Sequence, residues 1–332
     1  MAIQLIPFTD YHLESAAHLL QSRHQRDHQL LPHLPQPSLD TLQATIQDQW
    51  KEPLTQGMAA FDGQGMVGYM LGTPTFNAMF GRHVWIYRAG HAAIADRLPD
   101  IYHHLYTALA KNWVRDGYFD HYVQVTATDR QMNDIWFALS FGLQQAYGVY
   151  DLRDYDPTRH PAPNTITIRR AQQGDEAITY QLADIIMSHQ VQSPVFGHKP
   201  SEDIEENRQG YIELIQDPEA TYWLAELDGQ VMGFQVYFDF AADMFHPERS
   251  IELAVAGTFP EARGKGVNLA LTRHGFTHAK AAGYDYCFCD WRTTNFEASH
   301  FWPKIGFTPA MYRLVRRIDP MIAWANFFSA TR

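Results

Sequence analysis

From Ser250 to Gly257 the chain reads SIELAVAG, with apolar side chains alternating as they do along a half-buried strand. Beyond the glycines at 264 and 266 the alternation gives way to helical spacing. Val267, Ala270, Leu271, His274, His278 and Ala281 then fall along one stripe of a helix predicted near 266–282, the two histidines as residues at the edge of its buried face. Around this pair the same reading predicts hairpin strands near 222–227 and 231–238 and a long strand at 250–258. A strand at 286–290, a helix at 296–304 and a last strand at 312–318 complete the series.

The first half repeats that order. IQLIPFTDYHLESAAHLL from Ile3 has the strand-then-helix pattern of ITIRRAQQGDEAITYQLADII from Ile166. The hairpin signal Asp62-Gly63 recurs 166 positions on as Asp228-Gly229. Ala89-Gly90, expected to end a strand, recurs at Ala256-Gly257, and the helix-ending Gly117 recurs at Gly283. FGL at Phe141–Leu143 parallels IGF at Ile305–Phe307. Near-constant spacing across five landmarks marks a duplicated fold. The proline cluster YDPTRHPAPN between the halves suits an extended linker. The expected organisation is therefore a first domain at 1–154, a linker at 155–164, a second domain at 165–320 and a tail at 321–332. Each domain is expected to be a mixed α/β (α+β) fold, a mostly antiparallel twisted sheet flanked by helices.

At 332 residues, with 45% apolar and 14% aromatic side chains, the chain has material for two packed cores. Lys and Arg number 26 against 37 Asp and Glu, a net charge of −11. This balance argues against a nucleic acid or an anionic membrane as partner and favours a cationic small substrate. The two cysteines, Cys287 and Cys289, fall on one side of a strand and are expected to be buried core residues, with no metal site. MAIQLIPFTDYH has no basic, apolar leader pattern, and no stretch reaches the roughly 18 apolar residues of a span, so a cytoplasmic location is expected.

The candidate chemistry lies in TFPEARGKGVNLAL, Thr258 to Leu271, where a strand hands over to a helix. Free backbone N–H groups and a helix dipole converge at such a turn, which suits phosphate. A P-loop fails, because Phe259 stands at its first glycine and Gly266 follows the lysine; a dinucleotide fingerprint fails at Leu269. Arg263–Gly264–Lys265–Gly266–Val267–Asn268 instead follows Arg-x-x-Gly-x-Gly/Ala up to its last position. With Asn295, Ala298, Phe301, Gly306 and Phe307 at the matching downstream spacing, it resembles the GNAT (GCN5-related) N-acetyltransferases over about 166–318.

That resemblance implies acetyl-CoA as cofactor, its pyrophosphate on the turn at Arg263–Asn268. It implies a pantetheine arm in a gap between splayed strands, bordered by Thr258, Phe259, Asn295, Phe301 and Trp302. A backbone N–H near Thr258 or Phe259 would serve the oxyanion. Glu252, eleven residues before Arg263, stands where histone-acetylating members place their base, with Glu248 a weaker competitor. In an unbulged strand it would share a face with Thr258. Its counterpart in the first half is Trp85. Two positions depart from the family pattern: Asn268 replaces Gly/Ala, and Trp302 stands where many members carry a tyrosine acid, leaving Tyr312, Tyr286 or water.

At the matching turn the first half reads AGHAAIADRLPDIY, where Asp96 and Asp100 would repel a pyrophosphate, so this copy is expected to be degenerate. Ser201–Asn207, SEDIEEN, reads as a capped helix start with acids in its first turn. The tail MIAWANFFSATR is expected to pack on the other domain or on a second subunit. The leading reading is N-acetyl transfer to the primary amine of a small molecule or amino acid, by a monomer with an internal pseudo-dimer or by a homodimer. A non-catalytic acyl-CoA-binding protein is the alternative. Aminoacyl transfer from tRNA is disfavoured by the charge, and Ser-His-Asp hydrolysis by the absence of GxSxG.

Overall fold

The computed structural model describes residues 2–159, 161, 163, 165–197 and 201–325. The first half runs β1 (Gln4–Pro7), α1 (Leu13–Leu30), α2 (Leu39–Lys51), β2 (Gln56–Asp62), β3 (Gly65–Asn77), β4 (Gly81–Ile86), β5 (His91–Ala93), α3 (Leu98–Arg115), β6 (Asp120–Thr126), α4 (Arg130–Ala138) and β7 (Gly142–Asp151). The second runs β8 (Ile166–Arg170), α5 (Glu176–Gln190), α6 (Glu202–Glu213), β9 (Thr221–Leu227), β10 (Gln230–Phe240), β11 (Ser250–Thr258), α7 (Val267–Ala281), β12 (Tyr286–Arg292), α8 (Phe296–Ile305) and β13 (Thr308–Arg317). The expected fold class is what forms. Most strand pairs are antiparallel, while β4 with β6 and β11 with β12 are parallel.

The chain divides into two compact units, but not at the linker. One comprises residues up to 146 together with those from 310 onward; the other comprises 147–309. The last strand, expected to complete the second half, instead completes the first: β13 runs antiparallel to β6, from Met311↔Thr126 to Arg317↔Asp120. The sheet of the first unit is ordered β1-β2-β3-β4-β6-β13, and that of the second β7-β12-β11-β10-β9-β8. Side-chain volume accounts for the exchange. In the second unit β7 offers Gly148, where an added Cβ would stand 2.5 Å from the Trp291 ring. The corresponding position of β13 is Leu314, which Trp291 leaves no room for. In the first unit Val125 stands where Trp291 does in the second, and Leu314 is fully buried in that core.

Two further landmarks shift. Ala89-Gly90 does not end a strand; Arg88–Gly90 forms a 3-10 turn that breaks it into β4 and β5. The counterpart of Gly306 (φ 114°) is Ser140 (φ 65°) rather than Gly142, and the next residue of each, Phe307 or Phe141, donates its amide to Trp302 or Trp136. Ser201 does not cap α6 with its side chain, because at φ −64° and ψ −30° it is already helical. Of the linker, His160, Ala162 and Asn164 lie outside the described residues, as do 326–332 of the tail; Trp324 in the described part of the tail is 83% exposed.

Candidate active site

The turn before α7 forms as a left-handed elbow. Residues Pro260–Ala262 make one 3-10 turn, then Gly264 (φ 75°) and Gly266 (φ 85°) take the region that favours glycine. Gly266 is the N-cap and has no side chain to satisfy the helix. The first α7 bond is Ala270 N–H to Gly266 O at 2.9 Å. The amides of Val267, Asn268 and Leu269 therefore precede the helical ladder, at the positive end of its dipole. Lys265 beside them is exposed. Asn268 is turned inward: its Oδ1 accepts from Gln235 Nε2 at 2.8 Å, and the buried Gln235 accepts from Tyr237 Oη at 2.6 Å. Its departure from Gly/Ala thus serves a buried polar chain beneath the helix.

Arg263 and Asn295 come together through residues that sequence reasoning missed. Arg263 donates to His189 Nδ1 at 3.4 Å and lies 3.7 Å from Glu297; His189 Nε2 lies 3.3 Å from both Asn295 Oδ1 and Glu297. Asn295 also caps α8, accepting from Ala298 N at 3.2 Å. His189, in the last turn of α5, carried no spacing signal, because its neighbours come from across the unit. Phe301 is half-buried, whereas Trp302 is buried against Phe307, as Trp136 is against Phe141.

A gap opens beside β11. Its parallel pairing with β12 runs from Ser250↔Tyr286 to Leu253↔Cys289 and stops, while β11 continues to Thr258. Opposite β10, Ala254 is an extra residue, a bulge between Leu253↔Tyr237 and Val255↔Val236. Phe259 donates its amide to Met232 O at 3.0 Å, so it is no oxyanion donor. By strand alternation the amides of Ala256 and Thr258 face the open side. The Thr258 hydroxyl is buried with no hydrogen-bond partner among the described residues.

The same bulge reverses the side-chain parity expected of Glu252. Glu252 pairs with Phe238 but Thr258 with Gly233, so their side chains lie on opposite faces. Glu252 also pairs with Phe288 of β12. It is half-buried, and its carboxyl is raised by that burial, then by the neighbouring Asp290, with His246 opposing. Glu248 is exposed. Tyr286 is nearly buried, its ring under the Arg153 guanidinium, and Tyr312, on β13, packs against the core of the first unit.

The first unit closes the equivalent places with its own side chains. Trp85 stands at the position of Glu252 by register on both neighbours, opposite Thr73 and Tyr122. It stacks between Tyr87 and Tyr122, with the Arg313 guanidinium 5.7 Å from its ring. Between Trp85 and His91 there are two more residues than between Glu252 and Ala256, and they make the 3-10 turn. The outward carbonyls there are taken: buried Arg23 of α1 donates to Arg88 O at 2.7 Å and to His91 O. Arg23→Ala is expected to destabilise the first unit by about 3 kcal/mol, leaving buried carbonyls and Asp27 short of a partner. A lowered melting temperature would show it.

Residues 184–307 match the acetyltransferase (GNAT) family model. The chain carries a GNAT domain. The chain resembles mycothiol acetyltransferases, at 30% identity over 186 residues with that of Thermobispora bispora and 27% over 158 residues with that of Streptomyces griseus. The matched stretches cover 53% and 47% of this chain, and only 60% and 48% of those proteins. Among solved structures, a GCN5-related N-acetyltransferase from Sphaerobacter thermophilus superposes with a TM-score of 0.62 at 15% identity, covering 96% of each chain. A tandem GNAT protein from the clavulanic acid biosynthesis pathway gives 0.53 at 12% identity, covering 95% of this chain and 98% of that one. At these identities the likeness establishes the fold. Among the described residues no helix is long and apolar enough to cross a membrane, and no group of three or more His, Cys, Asp or Glu could hold a metal ion.

Proposed function

We propose that this protein transfers an acetyl group from acetyl-CoA to the primary amine of a small molecule, and that the second unit carries the reaction. The observation that carries the reading is the edge of β11 past Leu253, which pairs with no β12 residue among the described residues and lies between an N-terminus of α7 that has no side-chain cap and the half-buried Glu252. The residues present fit the cofactor. Lys265, Arg263 and the first-turn amides of α7 would hold the pyrophosphate. The Ala256 and Thr258 backbone groups would bind the pantetheine arm as an added strand does and polarise the acyl oxygen. Acetyl-CoA supplies the activated acetyl thioester. Glu252 takes a proton from the ammonium, which has a pKa of about 10 and is no nucleophile until it loses it. Its raised carboxyl makes it the stronger base.

The curated relatives, named mycothiol acetyltransferases, support acetyl transfer to a small molecule. The first unit then has a structural role, its clefts filled by Arg23 and by the cluster around Trp85. Calorimetric titration of acetyl-CoA into the wild type and Lys265→Glu tests the cofactor site. We expect micromolar-range binding, weakened about tenfold in the variant by charge reversal beside the pyrophosphate. Lys265 is a cleaner position than Gly266, where an added Cβ would stand 2.8 Å from Pro163. Absence of binding to the wild type would overturn the reading.

A further inference from the structure

The loop from 241 to 249, between β10 and β11, folds back onto the sheet and delivers one histidine to the face that bears Glu252. Asp243 Oδ1 accepts the amides of Phe245 and His246, each at 2.6 Å, and the Asp243 amide donates to His246 O at 3.0 Å. Met244 and Phe245 are buried and anchor the loop. The His246 ring is thereby laid flat on Phe240, with centroids 3.7 Å apart and planes 18° from parallel, and edge-on to Phe288 at 4.8 Å.

Register fixes what lies beneath that ring. Phe240 pairs with Ser250, Phe238 with Glu252, and Glu252 with Phe288, so these side chains share one face, as does Asp290 two residues beyond Phe288. Two of the aromatic rings that border Glu252's place on the sheet, Phe240 and Phe288, are among the rings His246 touches, with Phe245 of its own loop. Among the described residues the charged groups facing the imidazole are Asp243 from its own loop and Glu252 from β11, with Asp290 of β12 next to Glu252 on the same face. Its Nδ1 lies 3.0 Å from Asp243 Oδ2. A carboxylate accepts only, so the neutral ring carries its hydrogen on Nδ1 and presents a lone pair on Nε2. The His246 side chain is 15% exposed and that of Asp243 54%, so the pair leads from the sheet face to solvent.

We propose that His246, held by Asp243, carries the proton from Glu252 to solvent in each turnover. The inference rests on Glu252 acting as the base. Proton balance requires such a route. An ammonium acceptor loses two protons on becoming an amide; one ends on the coenzyme A thiol and the other must leave the site. Glu252 takes the departing proton as the amine forms, passes it to His246 Nε2, and is an anion again for the next acceptor. The imidazolium then gives up its Nδ1 proton to water, by way of Asp243, and exchange of the Nε2 proton with solvent returns the ring to its Nδ1–H tautomer for the next turnover. His246 is a positioning and relay residue and forms no bond to the acceptor.

The test uses acetyl-CoA with whichever of glucosamine, tyramine, spermidine and lysine the wild type acetylates fastest. His246→Gly is expected to lower kcat about 100-fold with the KM for acetyl-CoA unchanged, and added imidazole to restore much of the rate in a saturable way. Asp243→Asn is expected to fall between the two. Folding is checked by circular dichroism and melting temperature, and His246→Gln supplies a second variant that keeps the bulk of the side chain. Unchanged kcat in either histidine variant, or a loss that imidazole does not rescue in a folded His246→Gly, would overturn the relay while leaving Glu252 in place. If Glu252→Gln keeps full activity, the assignment of Glu252 as base fails and the relay with it; if the wild type acetylates none of the four amines, the acetyl transfer proposed above fails first.

Discussion

Glu252→Gln is expected to lower kcat by about 10²- to 10⁴-fold while acetyl-CoA binds as before. The amide keeps the shape of the carboxylate but cannot accept the ammonium proton, and Glu252 lies on the sheet face opposite the Thr258 side chain, so the cofactor turn is undisturbed. The pH profile gives the sign. With Glu252 as the proposed base the carboxylate is the active form, so kcat/KM is expected to rise with pH through the carboxyl pKa. Burial, with Asp290 next, raises that pKa, so the rise is displaced upward from the ordinary glutamate value. The variant should lack this limb. Glu248→Gln, at an exposed position, should leave both rate and profile unchanged. A Glu252→Gln enzyme with near wild-type kcat would move proton removal to another group, and a wild type that binds acetyl-CoA without turnover would favour the non-catalytic alternative.

Exchanging the volumes that sort the two last strands is expected to have the largest effects on stability. Leu314→Gly empties a fully buried site and should cost about 2–5 kcal/mol. Although Leu314 lies near the C-terminus, the loss should appear in the N-terminal unit, as faster hydrogen exchange in β6 and α3. Gly148→Leu should destabilise the second unit by about 3 kcal/mol, since its Cβ alone would stand 2.5 Å from the Trp291 ring. At about 2–4 °C per kcal/mol the losses are measurable in a melting curve. Trp291→Val in the same chain should recover much of the Gly148→Leu loss by giving the leucine the space that Val125 gives Leu314. If the double variant melts no higher than Gly148→Leu alone, the steric account of the exchange is wrong.

Several features of this protein were legible in the amino-acid sequence because they depend on near neighbours. The alternation of SIELAVAG sets β11 to the residue, and Gly264 and Gly266 mark the elbow because only glycine sits easily at φ of 75° and 85°. Asn295 is picked out by its spacing to Ala298, Gly306 and Phe307, and the duplicated order follows from spacing. The arrangement of the site was decided elsewhere. A single extra residue opposite β10 turns Glu252 and Thr258 to opposite faces and opens the strand edge, and no local pattern encodes a bulge that exists only against a partner strand. His189 reaches Asn295 across 106 residues. His246 reaches Phe288 only because its loop folds back. The last strand reads as strand in either unit, and what assigns it is a volume match between Leu314 and Val125, and between Gly148 and Trp291, made across the fold. Backbone preference is a property of short stretches and is written in them. Packing partners are chosen in three dimensions, by which side chains fit together.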